Sequence, residues 1–443
     1  MRTVRHGRRE SRRIHFFAVL SVVLALVVRL YWVFRIQSPY DAVYSDMGGY
    51  VERARSLISG APSSFPRLTA LYPYGAHYVY AGIFRIFGYD EHKTAVCILH
   101  ALLGAMPAYF FVLFAARFFV RAWAPGFLGV LFAIWQPIIW CTGFFVSEVP
   151  YLALLFGNSW LCLRFVETRR GGFALGITGA ILFAVRPQFI LTFAVLAAVY
   201  LWSERKHLFR AGALSSYVRV LVPWLVVIAF SVGRYHRLTG HWGLISENGT
   251  LNRLFADTTV GRVQAYWLAP NGDKWNFQVE PPCKKRMGEH DLIVLKGYIA
   301  DAEVLGPVRR TRLEGKSVGY RVYRAFNNVR LLWDRNTPWP EDERARVGMR
   351  RSLQQGFNGV ARWVVIPLAC LGVIVLRKRA ALVVVLAHLV TLVILSMFFF
   401  PEARYRVPYD PFLLCVGLAG AWQFGGVVLR RLGDLVGKVV RPS

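Results

Sequence analysis

Long apolar runs, beginning with HFFAVLSVVLALVVRLYWVF at 15–34, constrain this chain more than any other feature. A helix needs about 20 mostly apolar residues to cross ~30 Å of hydrocarbon. No other structure satisfies the backbone inside lipid as simply as a helix does. Runs of this kind recur near 14–35, 94–117, 124–142, 146–166, 172–185, 188–202, 214–233, 360–376, 380–400 and 409–429. GFALGITGAILFAV at 172–185 is the shortest, and RPQ at 186–188 separates it from the next run. With 55% hydrophobic and 15% aromatic residues over 443 positions, the chain is too apolar for an ordinary soluble protein. The expectation is an all-α integral membrane protein with about ten transmembrane helices. The first run is too long for a signal peptide and lacks a small-residue cleavage site, so it reads as a span.

The formal charge of +29 would suggest nucleic acid in a soluble protein, but here it sorts by side of the membrane. The basic N-terminus MRTVRHGRRESRR predicts a cytoplasmic start. Alternating spans then place ARFFVRAW, RFVETRRGG, SERKHLFR, RKRA and the tail RRLGDLVGKVVRPS on that same side, and each carries Arg or Lys. The opposite short loops, CTGFFVSEV, VRPQ and FPEARYRVP, carry fewer cations. Both termini are therefore expected in the cytoplasm. Two longer segments fall on the outer side, 36–93 and 234–359. The chain divides into 1–233 (an N-terminal bundle with the first outer loop), 234–359 (a mixed outer region) and 360–443 (the last spans and a basic tail). In the first loop, AHYVYAGIFRIFG has apolar residues at helical spacing and suits an interfacial helix. Cys97, Cys141, Cys162, Cys370 and Cys415 lie in or beside apolar runs and Cys283 stands alone in a polar loop. This pattern implies neither a disulfide framework nor a cysteine metal site.

Charged residues at the outer edge are the candidate chemistry, because a carboxylate there must be solvated, paired or functional. Asp46 in YSDMGGYVERARSL is open to two readings. It could cap the helix that follows, or it could be catalytic beside Gly48 and Gly49, which permit close backbone approach to a ligand. On a helix Asp46, Tyr50 and Arg53 share a face. Glu148 in FFVSEVPYLALLF enters an apolar run and needs a partner. It reads either as a cap or salt-bridge partner or as a second carboxylate facing the same cavity. Arg186 in AVRPQF and Arg404 and Arg406 in PEARYRVPYDP are either interfacial anchors or a phosphate clamp, since guanidinium matches phosphate oxygens. Tyr72, Tyr74 and His77 in LYPYGAHYVY fit an aromatic belt with a surface histidine, while His77 is also a possible ligand contact. His100 and His388 lie inside spans and are expected to bond between helices. No metal ligand cluster or nucleotide-binding fingerprint is apparent.

Taken in order, SDMGGYVERARSL, YPYGAHYVYAGIFRIFG, FVSEVPYLALLF, RPQF, SENGTLNRLFADTT and ARYRVPYDPFLL resemble the polytopic GT-C glycosyltransferases. The protein O-mannosyltransferase-like and aminoarabinose-transferase-like branch is the most similar. The resemblance implies a GT-C-type bundle and an inverting transfer of sugar from a polyprenyl-phosphate donor to a hydroxyl of a glycan, lipid or protein. Asp46 would be the general base and Glu148, Tyr50 and His77 would contact the acceptor. Arg186, Arg404 and Arg406 would hold the donor phosphate. Many members carry two adjacent acids where this chain has Asp46 and Met47. It implies no cofactor, and most members that use a lipid monophosphate need no metal, though the sequence leaves a divalent metal open. The partners would be the lipid-linked sugar, its acceptor and membrane lipids, not nucleic acid. The setting would be a bacterial inner membrane with the site facing the periplasm. Two other classes fit many spans with polar outer loops: a polymerase or ligase of diphosphate-linked glycans, and a lipid-glycan transporter or flippase.

Overall fold

The computed structural model describes residues 6–60, 66–205, 211–257, 262–268, 274–279, 292–296, 300–334, 347–377, 379–399 and 402–439. Cys283 lies outside them. The other five cysteines are unpaired.

Helix α1 (Arg8–Tyr31) runs on through a wider turn to Ile36. Its packing is that of a membrane helix. Phe16, Val19, Val23 and Val27 face outward, while Ala18, Ser21 and Ala25 are buried. Small residues line the seam because helices in lipid gain from close backbone approach, not from hiding apolar surface. Across that seam, Cβ atoms on Gly126 and Gly129 would run into Phe17 and Ser21.

The segment 36–93 holds α2 (Ser45–Ser59), α3 (Pro66–Leu71) and α4 (Gly75–Phe87). Five helices follow: α5 (Lys93–Ala105), α6 (Pro107–Ala115), α7 (Trp123–Ile134), α8 (Gln136–Cys141) and α9 (Glu148–Thr168). Next come α10 (Gly172–Val185), α11 (Phe189–Glu204) and α12 (Ala211–Thr239). The 234–359 region contributes α13 (Asn248–Asp257), α14 (Ala302–Leu313), α15 (Val318–Asp334) and most of α16 (Val347–Val360). It also holds a three-stranded sheet of β1 (Arg262–Leu268), β2 (Lys274–Val279) and β3 (Leu292–Lys296). β1 is central, antiparallel to β2 (Val263 opposite Val279) and parallel to β3 (Val263 opposite Ile293). The chain closes with α17 (Ile366–Val375), α18 (Ala380–Phe398), the single turn α19 (Ala403–Arg406) and α20 (Asp410–Val439).

Among the described residues seven helical stretches are long and apolar enough to cross a membrane: Arg8–Ile36, Lys93–Ala115, Glu148–Thr168, Leu214–Thr239, Gln355–Val375, Ala380–Phe398 and Ala403–Val428. The other three expected spans are shorter apolar helices, Trp123–Ile134, Gly172–Val185 and Phe189–Glu204. Proline explains two of these lengths. Trp135 is extended (φ −69°, ψ 101°) before Gln136-Pro137, which divides the run at 124–142 into α7 and α8. Arg186 is extended (φ −141°, ψ 102°) directly before Pro187, the conformation a following proline imposes.

The bundle brings three parts of the chain together at one end. α4 packs on α2 and on α9 and α10. It is anchored where Gly75 meets the end of α10 so closely that a Cβ would lie 2.5–2.7 Å from the backbone of Ala184 and Val185. α4 is thus more deeply seated than an interfacial helix, with Ala76, His77, Tyr80 and Phe84 buried. The α18–α20 corner, carrying α19, closes over the same place.

Candidate functional site

Asp46 lies in the first turn of α2, which begins at Ser45 in a left-handed conformation (φ 47°). Its carboxylate does not cap the helix. Tyr72 donates its hydroxyl to Oδ1 and Arg404 donates Nη2 to Oδ2 at 2.9 Å. Arg404 also sets Nε 3.3 Å from Glu148 Oε1 and 3.6 Å from Glu402 Oε2. Glu148 opens α9 and pairs with Arg186. Arg186 reaches Ser147 Oγ at 3.3 Å through Nε and Nη2. Its guanidinium stands over the rings of Tyr151 and Tyr405. A continuous ionic network thus joins Asp46, Arg404, Glu148 and Arg186, with Glu402 beside Arg404.

Exposure separates the members. The side chains of Glu148, Glu402 and Arg186 are 1%, 3% and 4% exposed, against 10% for Arg404 and 14% for Asp46. Asp46 is therefore the carboxylate of the network that an incoming group can reach. Glu148 and Arg186 form the floor. A buried pair holds together only with good geometry and further polar contacts; Ser147 supplies hydrogen bonds to both partners and Arg404 a second positive charge beside Glu148.

Tyr50 and Tyr72 form the wall beside Asp46, their ring centroids 5.7 Å apart. Burial pushes both hydroxyls up, with the Asp46 carboxylate adding to it, so each keeps its proton. Arg53 lies over the Tyr72 ring at 4.9 Å. Gly49 serves that arrangement, since a Cβ there would stand 2.7 Å from Arg53 Nη1. Gly48 has only ordinary contacts. The close approach expected of the glycine pair is thus used within the chain at Gly49.

His77 is not the surface histidine expected. It is fully buried, and neither ring nitrogen has a hydrogen-bond partner among the described residues. Burial, and then the positive charge of Arg53 and Arg234, hold it well below the usual histidine range. His100 and His388 do bond between elements, Nε2 to Phe144 O at 3.1 Å and to Ser159 Oγ at 3.2 Å.

Arg406 stands apart from the network. Its Nε is 3.0 Å from Asp410 Oδ1, and it donates to Leu332 O and Asn358 Oδ1. Trp135 Nε1 donates to the other oxygen of Asp410. This second ionic knot ties α20 to α15, α16 and the α7–α8 break. The reason is geometric: residues two apart on a helix point about 200° from each other, so α19 sends Arg404 and Arg406 to different partners.

Sequence reasoning singled out Asp46, Glu148, Arg186 and Arg404, and these four come together. It read Tyr72 as belt and did not anticipate Ser147 or Tyr405 as partners. No local pattern marks them, because each acts through a contact distant in sequence. Among the described residues no group of three or more His, Cys, Asp and Glu is placed to hold a metal ion. No protein-family model matches the chain, and no curated protein matches it.

Proposed function

We propose that the chain is an inverting glycosyltransferase of GT-C type, moving a sugar from a polyprenyl-phosphate donor to a hydroxyl at the outer face of a bacterial inner membrane. The observation that carries this reading is Asp46, a reachable carboxylate oriented on two sides by Tyr72 and Arg404 above a buried ionic floor. In the proposed reaction the acceptor hydroxyl passes its proton to Asp46 as its oxygen attacks the anomeric carbon. The bond from that carbon to the phosphate oxygen breaks, and the lipid phosphate departs with the electron pair. A phosphate needs no proton to leave, so one base suffices. A guanidinium near the departing oxygen stabilises the charge it gains. Arg404, the more exposed of the two network arginines, would take that role, and Arg186 would act through Glu148. Tyr50, buried beside Asp46, would form the wall of the acceptor pocket. His77 lies deeper and would shape the pocket as a neutral group, and Arg406 would hold α20 in place.

The topology proposed with it counts the three shorter apolar helices as crossings. Ten crossings leave both termini and the Arg-rich short loops on the cytoplasmic side, as the charge bias requires. Segments 36–93 and 234–359 then share the outer face with Asp46.

The test uses the full chain in nanodiscs with a panel of radiolabelled polyprenyl-phosphate sugars and an added membrane extract, comparing wild type with Asp46→Asn. Consumption of one donor by wild type and not by the variant is expected. Equal consumption by both removes Asp46 as the base. Turnover of only diphosphate-linked glycans by wild type replaces the donor class proposed here.

A further inference from the structure

An apolar groove opens in the bundle, away from the polar network around Asp46. It runs beside α11 from Phe189 to Ser203 and is walled by α9 (Asn158 to Val166), α12 (Tyr217 to Leu221) and α18 (Ala380 to Val384). Its empty volume, open mouth included, is about 1100 Å³. At 1.5 Å per residue the stretch of α11 beside it is roughly 20 Å long, enough for an extended chain from one leaflet of a ~30 Å hydrocarbon layer. Leu201 and Leu221 line the groove and are also exposed on the outer surface, so it opens sideways into lipid.

The polar atoms at the groove indicate which way its occupant lies. Asn158 donates to Leu175 O and Thr178 Oγ1, and Ser203 donates to Tyr200 O. Tyr200 differs: its hydroxyl is buried and has no partner among the described residues. It sits near the α9–α10 and α11 ends, under the guanidinium of Arg169, 4.8 Å above its ring. Arg169 also donates to Tyr217 Oη and pairs with Glu204. This end is basic. Glu204 takes Arg169 and Glu167 takes Arg117, while Arg164, Arg170, Arg205, Arg377 and Arg379 have no carboxylate in an ion pair among the described residues.

We propose that the groove binds an anionic phospholipid, with one acyl chain laid along α11 and the headgroup oxygens meeting Tyr200 and the arginines around it. A hydrocarbon chain is the one solvent present at this depth. A donor phosphate engaged at Asp46 is not this headgroup, because α11 carries Tyr200 11 residues, or roughly 16 Å, beyond Phe189, the end of the groove that lies next to Arg186 in sequence. The inference stands independently of the transfer reaction.

The test is native mass spectrometry of the delipidated full chain titrated with phosphatidylglycerol or with phosphatidylcholine of the same acyl chains. One retained phosphatidylglycerol is expected, favoured over phosphatidylcholine by about fivefold for each cation engaged. Ala197→Trp, which fills the groove, abolishes retention. Tyr200→Phe keeps the shape, removes one hydrogen bond and weakens retention about two- to tenfold. If Ala197→Trp does not fold, Tyr200→Phe decides alone. Undiminished retention by a folded variant overturns the site, and parity between the two lipids overturns the anionic assignment. Displacement by an equal concentration of polyprenyl phosphate gives the groove to an isoprenoid chain instead.

Discussion

At the residue scale the Asp46 site divides its carboxylates by depth, and the division has measurable consequences. Asp46→Asn removes a reachable base without emptying any packed space. Transfer is expected to fall about 10²- to 10⁴-fold with thermal unfolding close to wild type. Glu148→Gln should behave in the opposite way. It leaves Arg186 buried beside a neutral amide, and breaking such a pair costs about 3–5 kcal/mol. A melting temperature for Glu148→Gln no lower than that of Asp46→Asn would refute the division of roles. His77 supplies a pH signature. Its proton affinity is depressed in the folded chain by burial and by Arg53 and Arg234, whereas an unfolded histidine titrates near 6.5. Below that value the unfolded chain takes up a proton that the folded one excludes, so stability is full above about pH 6.5 and declines as pH falls. Melting curves between pH 7.5 and 5 should show a decline that is shallower in His77→Gln. Identical slopes would mean the imidazole charges freely in place.

At the element scale, close helix crossings set where the site residues stand. Gly75 is the contact between α4 and the end of α10. Gly75→Ala would force those backbones apart, and overpacking of this kind costs about 1–3 kcal/mol. It should also reduce transfer, because Tyr72 lies three residues before α4 and would move with it. Thermal unfolding and activity measured together check both. Element positions were legible in the sequence because hydropathy and proline both act locally. The apolar runs gave the helices, and Pro137 and Pro187 mark where α7 and α10 stop. The pairing within the site was only half legible. A carboxylate at a membrane edge announces that it needs a partner, but not which one. Arg404 and Arg406 looked equivalent in ARYRV, and only a helical turn at α19 separates them. Tyr72 carried no signal beyond being one of several tyrosines.

At the scale of the whole molecule the proposed ten-crossing arrangement makes a parity prediction. Between Glu91 and Arg170 lie the α5–α6 span, the broken α7–α8 pair and α9. Three crossings put these two exposed positions on opposite sides of the bilayer, whereas two crossings put them on the same side. Single cysteines at each, introduced after replacing the native ones, should therefore react with an impermeant maleimide in sealed vesicles of opposite orientation. Labelling of both from one side would show that α7–α8 dips into the membrane and returns.

The Asp46–Arg404 bond links positions 358 residues apart, and this separation governs how the molecule comes into being. Synthesis proceeds at about 5–20 residues per second, so roughly 20–70 s separate the emergence of the two partners. For that interval the nascent chain holds a carboxylate whose guanidinium has not yet been made. A ribosome that stops short of α19 releases a protein with most of its spans and an incomplete site. Termination before α19 thus leaves Asp46 without Arg404, however well the earlier helices have packed.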